Sequence, residues 1–145
     1  MTLDLFSAED DALPAQQAIC PGALLLRRFA LPNEADILQT LQNILAIAPF
    51  RHMMTPGGFR MSVAITSCGT LGWVTDQHGY RYTRINPENN QPWPAMPAGF
   101  LQLAHTAALA AGFNDFVPDA CLINRYQPGA RMSLHQDKNE RDFSQ

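Results

Sequence analysis

The sequence is short of several things, and each shortage narrows what the protein can be. It has only three cysteines, Cys20, Cys68 and Cys121, with no C-x-x-C spacing. An odd count without paired spacing argues against a disulfide framework or a cysteine-based zinc site and fits a reducing compartment. No apolar run reaches transmembrane length and no signal peptide opens the chain, which predicts a cytoplasmic protein with no membrane partner. There is no excess of positive charge. The formal net charge is −3, so the chain as a whole lacks the electrostatic mark of a nucleic-acid binder. Internal repeats and low-complexity tracts are missing as well, which excludes a repeat architecture.

What is present is a chain long enough for one domain with a sizeable core. Its charges are uneven. Asp4, Glu9, Asp10 and Asp11 crowd the start, while Arg51, Arg60, Arg81 and Arg84 face Asp76 alone between positions 51 and 84. A local basic excess of that kind can attract phosphates even in an acidic protein. Residues 1–19 are polar, acidic and aperiodic and read as a flexible arm, leaving 20–145 as the domain.

The order of elements follows from local signals. Ala23 to Phe29 is a strand candidate. Asn33 is placed to cap a helix whose first turn holds Glu34 and Asp36, where the helix dipole favours acids. Ile37, Leu38, Leu41, Ile44, Leu45 and Ala48 recur at helical spacing and predict a core-facing stripe. From about 49 to 97 the pattern is broken by Gly and Pro, with strands suggested at Arg60 to Thr66 and Tyr80 to Thr83. Pro97 to Ala111 predicts a second helix, with Gly112 suited to its C-terminal cap. Cys121 to Tyr126 reads as a buried-type strand, Gln127-Pro-Gly-Ala130 as a turn, and Met132 to Asp137 as a second extended run.

In a strand, residues two apart face the same way. His135 and Asp137 would therefore project together, and so would Asn124 and Tyr126. One imidazole and one carboxylate on a common face are two thirds of the 2-His-1-carboxylate set of non-haem Fe(II) oxygenases. Taken alone, a His-x-Asp triplet is most often a pair of surface polar residues, and an isolated Trp73 is most often core.

The surrounding residues carry more. Asn124-Arg-Tyr126, the Pro-Gly turn and Ser133-Leu-His-Gln-Asp-Lys138 resemble the AlkB family of Fe(II)- and 2-oxoglutarate-dependent dioxygenases that repair alkylated bases. Met54-Thr-Pro-Gly-Gly58, Met61-Ser-Val-Ala64, Cys68-Gly69, Leu71-Gly-Trp73, Gly79-Tyr80, Pro92-Trp-Pro-Ala-Met-Pro97 and Pro118-Asp-Ala-Cys121 extend the likeness, in order, from about Ala23 to the end.

The resemblance implies a mainly β, α+β fold. It would be an incomplete double-stranded β-helix, a cupin-like jelly roll, with N-terminal helices and a nucleotide-recognition lid at about 49–97. It implies Fe(II) held by His135 and Asp137, 2-oxoglutarate hydrogen-bonded by Asn124 and Tyr126, and a flipped base stacked on Trp73. Tyr80, Thr55, Phe59, Met61 and Ile65 would line the lid's substrate path, Arg131 would meet phosphate, and Asn139 would read the base where relatives carry Asp. The implied reaction is oxidative demethylation of 1-methyladenine- or 3-methylcytosine-type lesions in single- or double-stranded DNA, and also RNA, by a protein that is monomeric when complete. The family's second histidine and its cosubstrate arginines lie farther downstream than Gln145. These 145 residues are therefore expected to be the N-terminal part of the domain and inactive by themselves. The alternative is a non-catalytic, nucleic-acid-binding remnant of such an enzyme.

Overall fold

The computed structural model describes residues 13–135. Within them the chain is mainly β. Eight short strands pair as four two-stranded antiparallel ribbons, and two α-helices accompany them. Strand β1 (Gln16–Cys20) and β2 (Ala23–Leu26) form the first ribbon, turned at Gly22 with φ +79°. The expected flexible arm thus gives way to a strand at Gln16, and residues 1–12 lie outside the described residues. Every β1 residue is exposed, so its sequence has no apolar alternation to announce it. It exists through main-chain pairing with β2.

Helix α1 (Glu34–Ile47) begins as expected, with Glu34 and Asp36 in the first turn, although the Asn33 side chain makes no capping bond. The apolar stripe is buried only towards its end. Ile44 and Ala48 are enclosed, whereas Leu38 lies in solvent. The Thr66 hydroxyl donates to the Ala48 carbonyl at 2.7 Å and ties the helix end to the central strand.

That strand is β3 (Ala64–Gly69), buried along nearly its whole length. Burial on both faces explains a run without alternation. Its partner β8 (Ala120–Arg125) pairs antiparallel from Ala64↔Arg125 to Gly69↔Ala120. On the other side, Arg51 and Ile65 exchange both main-chain bonds (3.0 and 2.8 Å) and Met61 N–H reaches Met53 C=O at 2.8 Å. Residues 51–65 therefore make a hairpin around the predicted Thr55-Pro-Gly-Gly58 turn.

Strands β4 (Gly72–Asp76) and β5 (Gly79–Thr83) form a second hairpin, followed by the short pair β6 (Ile85–Asn86) and β7 (Gln91–Pro92). Helix α2 (Ala98–Ala110) ends in the predicted glycine cap. Gly112 sits at φ +90°, Phe113 N–H reaches Ala108 C=O at 2.9 Å and Gly112 N–H reaches Leu109 C=O at 3.0 Å. This is the paired-bond termination that glycine permits.

The core joins Ala48, Met53, Val63, Ile65, Val74 and Trp93, with Met61 and Trp73 packed at its margin. Trp93 comes from the proline-rich stretch that reads as irregular in sequence. Its ring lies against the bare Cα of Gly72, where an added Cβ would run into the indole. Its Nε1 donates to Thr83 C=O at 3.0 Å. Gly72→Ala should therefore exceed ordinary single-methyl overpacking, which costs about 1–3 kcal/mol. The check is the urea midpoint, and an unchanged midpoint would mean that Trp93 moves aside freely.

The register also sets Cys68 opposite Cys121. The two thiols influence each other: Cys68 beside it holds Cys121 below the ordinary thiol value, while Cys121 and burial push Cys68 far up. Thiolate is the reactive form. In a Cys20→Ser background, one thiol of the native chain should react with Ellman's reagent, its rate rising through a midpoint below that of an ordinary thiol. The second should react only on unfolding. Two equally reactive thiols would refute this pairing.

Candidate nucleic-acid and metal site

The β4–β5 hairpin presents the aromatic platform. Register pairs Trp73 with Tyr82 and Thr75 with Tyr80, so Trp73 and Tyr80 are diagonal neighbours on one face. Their ring centroids are 5.6 Å apart with planes 25° from parallel. Trp73 is half-buried and Tyr80 is exposed. Part of Trp73 thus packs on the core, and part stacks on Tyr80.

The 51–65 hairpin supplies the neighbouring residues. The Thr55 hydroxyl accepts from Phe59 N–H at 3.2 Å within the turn, which leaves Phe59 three-quarters exposed. Met61 is half-buried beside the core. Ile65 differs from the rest: it is wholly enclosed, with no accessible surface. A residue at that depth sets the floor beneath a site; it does not touch a ligand that approaches from solvent.

Asn124 lies opposite Ile65 on β8 and is exposed. Tyr126, one residue beyond the strand, is also exposed, and its hydroxyl approaches Met132 Sδ at 3.9 Å. The turn follows as expected, with Ala130 N–H bonded to Gln127 C=O at 2.8 Å and Gly129 at φ +85°. The expected second strand does not follow. Residues 131–135 are irregular and exposed. The reason is the use of the backbone: Arg131 N–H donates to the Ser62 hydroxyl at 3.2 Å, and that hydroxyl donates back to Arg131 C=O at 3.0 Å. Ser62 was given no role by the sequence, where an exposed serine beside a strand has no distinguishing mark.

His135 Nδ1 lies 2.9 Å from Ser133 C=O. A carbonyl only accepts, so in this bond the proton is on Nδ1, and in the neutral ring that leaves Nε2 as the acceptor. That is the tautomer in which a histidine ligates a metal while its other nitrogen is held by the protein. Asp137 and Asn139 lie outside the described residues. His52 bonds Met61 C=O, His78 lies against Asp76 and His105 against Phe116 C=O, so none of the three accompanies His135. Among the described residues no three His, Cys, Asp or Glu side chains gather around a point that could hold a metal. The donor chemistry of His135 fits Fe(II) or a similar ion.

The basic excess is smaller in space than in sequence. Arg51 pairs with Glu88 at 2.9 Å and lies 5.6 Å from the Trp93 ring centre, and Arg81 pairs with Asp76. Arg60, Arg84 and Arg131 are exposed. No helix among the described residues is long and apolar enough to cross a membrane.

The 2OG-Fe(II) oxygenase superfamily matches residues 22–145. Alpha-ketoglutarate-dependent dioxygenase AlkB of Escherichia coli (strain K12) is 54% identical over 141 residues, covering 97% of this chain and 64% of that protein. The AlkB protein of Salmonella typhimurium is 52% identical over the same shares. Nucleic acid dioxygenase ALKBH1 of Homo sapiens is 32% identical over 76 residues, 51% of this chain and 19% of that one. The chain thus spans just under two thirds of the length of the bacterial AlkB proteins that it matches. With the superfamily match covering most of the described residues and identity above one half to two AlkB proteins, the chain belongs to the 2OG-Fe(II) oxygenase superfamily, in its AlkB family.

Proposed function

We propose that this chain serves oxidative demethylation of alkylated nucleic acid bases, of the 1-methyladenine and 3-methylcytosine type, with Fe(II), O₂ and 2-oxoglutarate. The observation that carries this reading is the 54% identity to AlkB across 97% of the chain. Bound Fe(II) and 2-oxoglutarate would supply the oxidation of the N-methyl carbon, with succinate, CO₂ and formaldehyde released and the base restored. His135 and Asp137 would hold the iron, and Asn124 and Tyr126 would hydrogen-bond the cosubstrate from the exposed side of β8.

The chain's own contribution to substrate is recognition. A base acted on chemically must leave its stack and be held by new stacking and edge contacts. The Trp73–Tyr80 pair offers an aromatic surface, with Thr55, Phe59 and Met61 on the adjoining hairpin and Ile65 beneath. Residues 49–97 act as the lid in this reading, and the β3–β8 pair is the front part of a jelly roll. Arg131 would neutralise phosphate, and Asn139 would contact the base edge. The substrate is alkylated DNA or RNA.

The test has two arms. Formaldehyde and succinate release from a 1-methyladenine oligonucleotide, abolished by His135→Ala, supports the demethylase. Binding of that oligonucleotide without turnover favours a binding remnant instead. In the second arm, Trp73→Ala should weaken binding by about 1–3 kcal/mol, the range for loss of one aromatic under a base. Unchanged affinity in a folded variant would return Trp73 to a packing role.

A further inference from the structure

Outside the residues just assigned, Asp76 makes the densest set of directed contacts on the hairpin. Its Oδ1 accepts from Arg81 Nη1 at 2.8 Å and its Oδ2 from Arg81 Nη2 at 2.7 Å. Oδ1 also accepts the His78 backbone N–H at 2.8 Å and lies 3.2 Å from His78 Nδ1. Arg81 Nη1 reaches Gly79 C=O at 3.2 Å as well. One carboxylate therefore joins the end of β4, the turn and the middle of β5. The Arg81 guanidinium, and then the His78 N–H, hold this carboxyl well below the usual carboxylate range.

An exposed ion pair is ordinarily worth little stability, and this one is more than one third exposed on each side. Its effect lies in shape. Strands β4 and β5 pair with each other and with no third strand among the described residues. A two-stranded ribbon is free to twist more than a strand within a sheet. By alternation, Val74, Asp76 and Arg81 occupy the face opposite Trp73 and Tyr80, and Val74 is buried in the core directly across from Arg81. A forked contact on that back face constrains the twist, and the twist sets how a diagonal pair on the front face overlaps.

We propose that Asp76 is a positioning residue for base recognition: its two-oxygen hold on Arg81, with His78, fixes the twist of the β4–β5 hairpin and so keeps Trp73 and Tyr80 stacked. This rests on the reading that the Trp73–Tyr80 platform meets the base.

Arg81→Lys keeps the charge but replaces a planar fork with a point charge. Asp76→Asn removes one negative charge, which by itself would strengthen attraction to phosphates. Asp76→Glu keeps the carboxylate. The experiment compares these variants and Trp73→Ala by near-ultraviolet circular dichroism of the Trp–Tyr pair and by affinity for a short single strand carrying 1-methyladenine. Arg81→Lys and Asp76→Asn should keep far-ultraviolet spectra, lose part of the near-ultraviolet signal, and bind about fivefold more weakly. Asp76→Glu should restore most of both. Weakening by Asp76→Asn runs against the electrostatic sign, so it reports geometry. A preserved near-ultraviolet signal in Arg81→Lys overturns the proposal. If Trp73→Ala leaves affinity unchanged, the platform reading fails and with it the role in recognition, while the near-ultraviolet signal still decides whether Asp76 sets the stack.

Discussion

The contact between the Trp93 indole and the backbone of Gly72 is the constraint on which this arrangement depends. Gly72 and Thr83 are register partners at the open end of the β4–β5 hairpin. Trp93 lies against the first and hydrogen-bonds the carbonyl of the second. One side chain thus anchors both strands to the core shared with Ile65 and Val74. A buried indole needs a partner for its N–H, and here that partner is a carbonyl at the margin of a two-stranded ribbon. The ribbon's root is fixed by packing, and its far end by the Asp76 carboxylate. Between these two fixed points stand Trp73 and Tyr80.

Much of this was legible in the sequence where the determining forces are local. The α2 helix and its Gly112 cap could be placed from spacing and from the one residue that readily takes positive φ. The turns at Thr55-Pro-Gly-Gly58 and Gln127-Pro-Gly-Ala130 follow from proline and glycine in the same way. The β8 strand was legible as a short apolar-rich run, with Asn124 and Tyr126 expected on one face of it. The Leu71-Gly-Trp73 and Pro92-Trp-Pro94 stretches were visible as separate motifs. That they interlock was not visible, because their contact joins residues twenty-one positions apart through a missing side chain.

The misreadings share a cause. Strand β1 is exposed along its length and exists through pairing with β2, so residues 16–19 looked like part of a tail. Met132 to His135 alternates in hydrophobicity like a strand, yet Met132 and Leu134 are both exposed. Its neighbour Arg131 spends its main-chain groups on a serine hydroxyl. The excess of arginine over 51–84 is reduced in space by Glu88 beside Arg51 and Asp76 beside Arg81. For Arg131 and Arg51 the decisive partner is distant in sequence, 69 and 37 positions away.

The Ser62 hydroxyl, with its two bonds to Arg131, acts as a mooring. Beyond it only four peptide steps lead to His135, a leash of roughly 14 Å at full extension. The imidazole can therefore sweep only a small volume around Ser62, and Ser62 is the immediate neighbour of Met61, just ahead of β3. The Ser62 hydroxyl thus limits how far His135 can stand from Met61, and that limit is a property of this short leash.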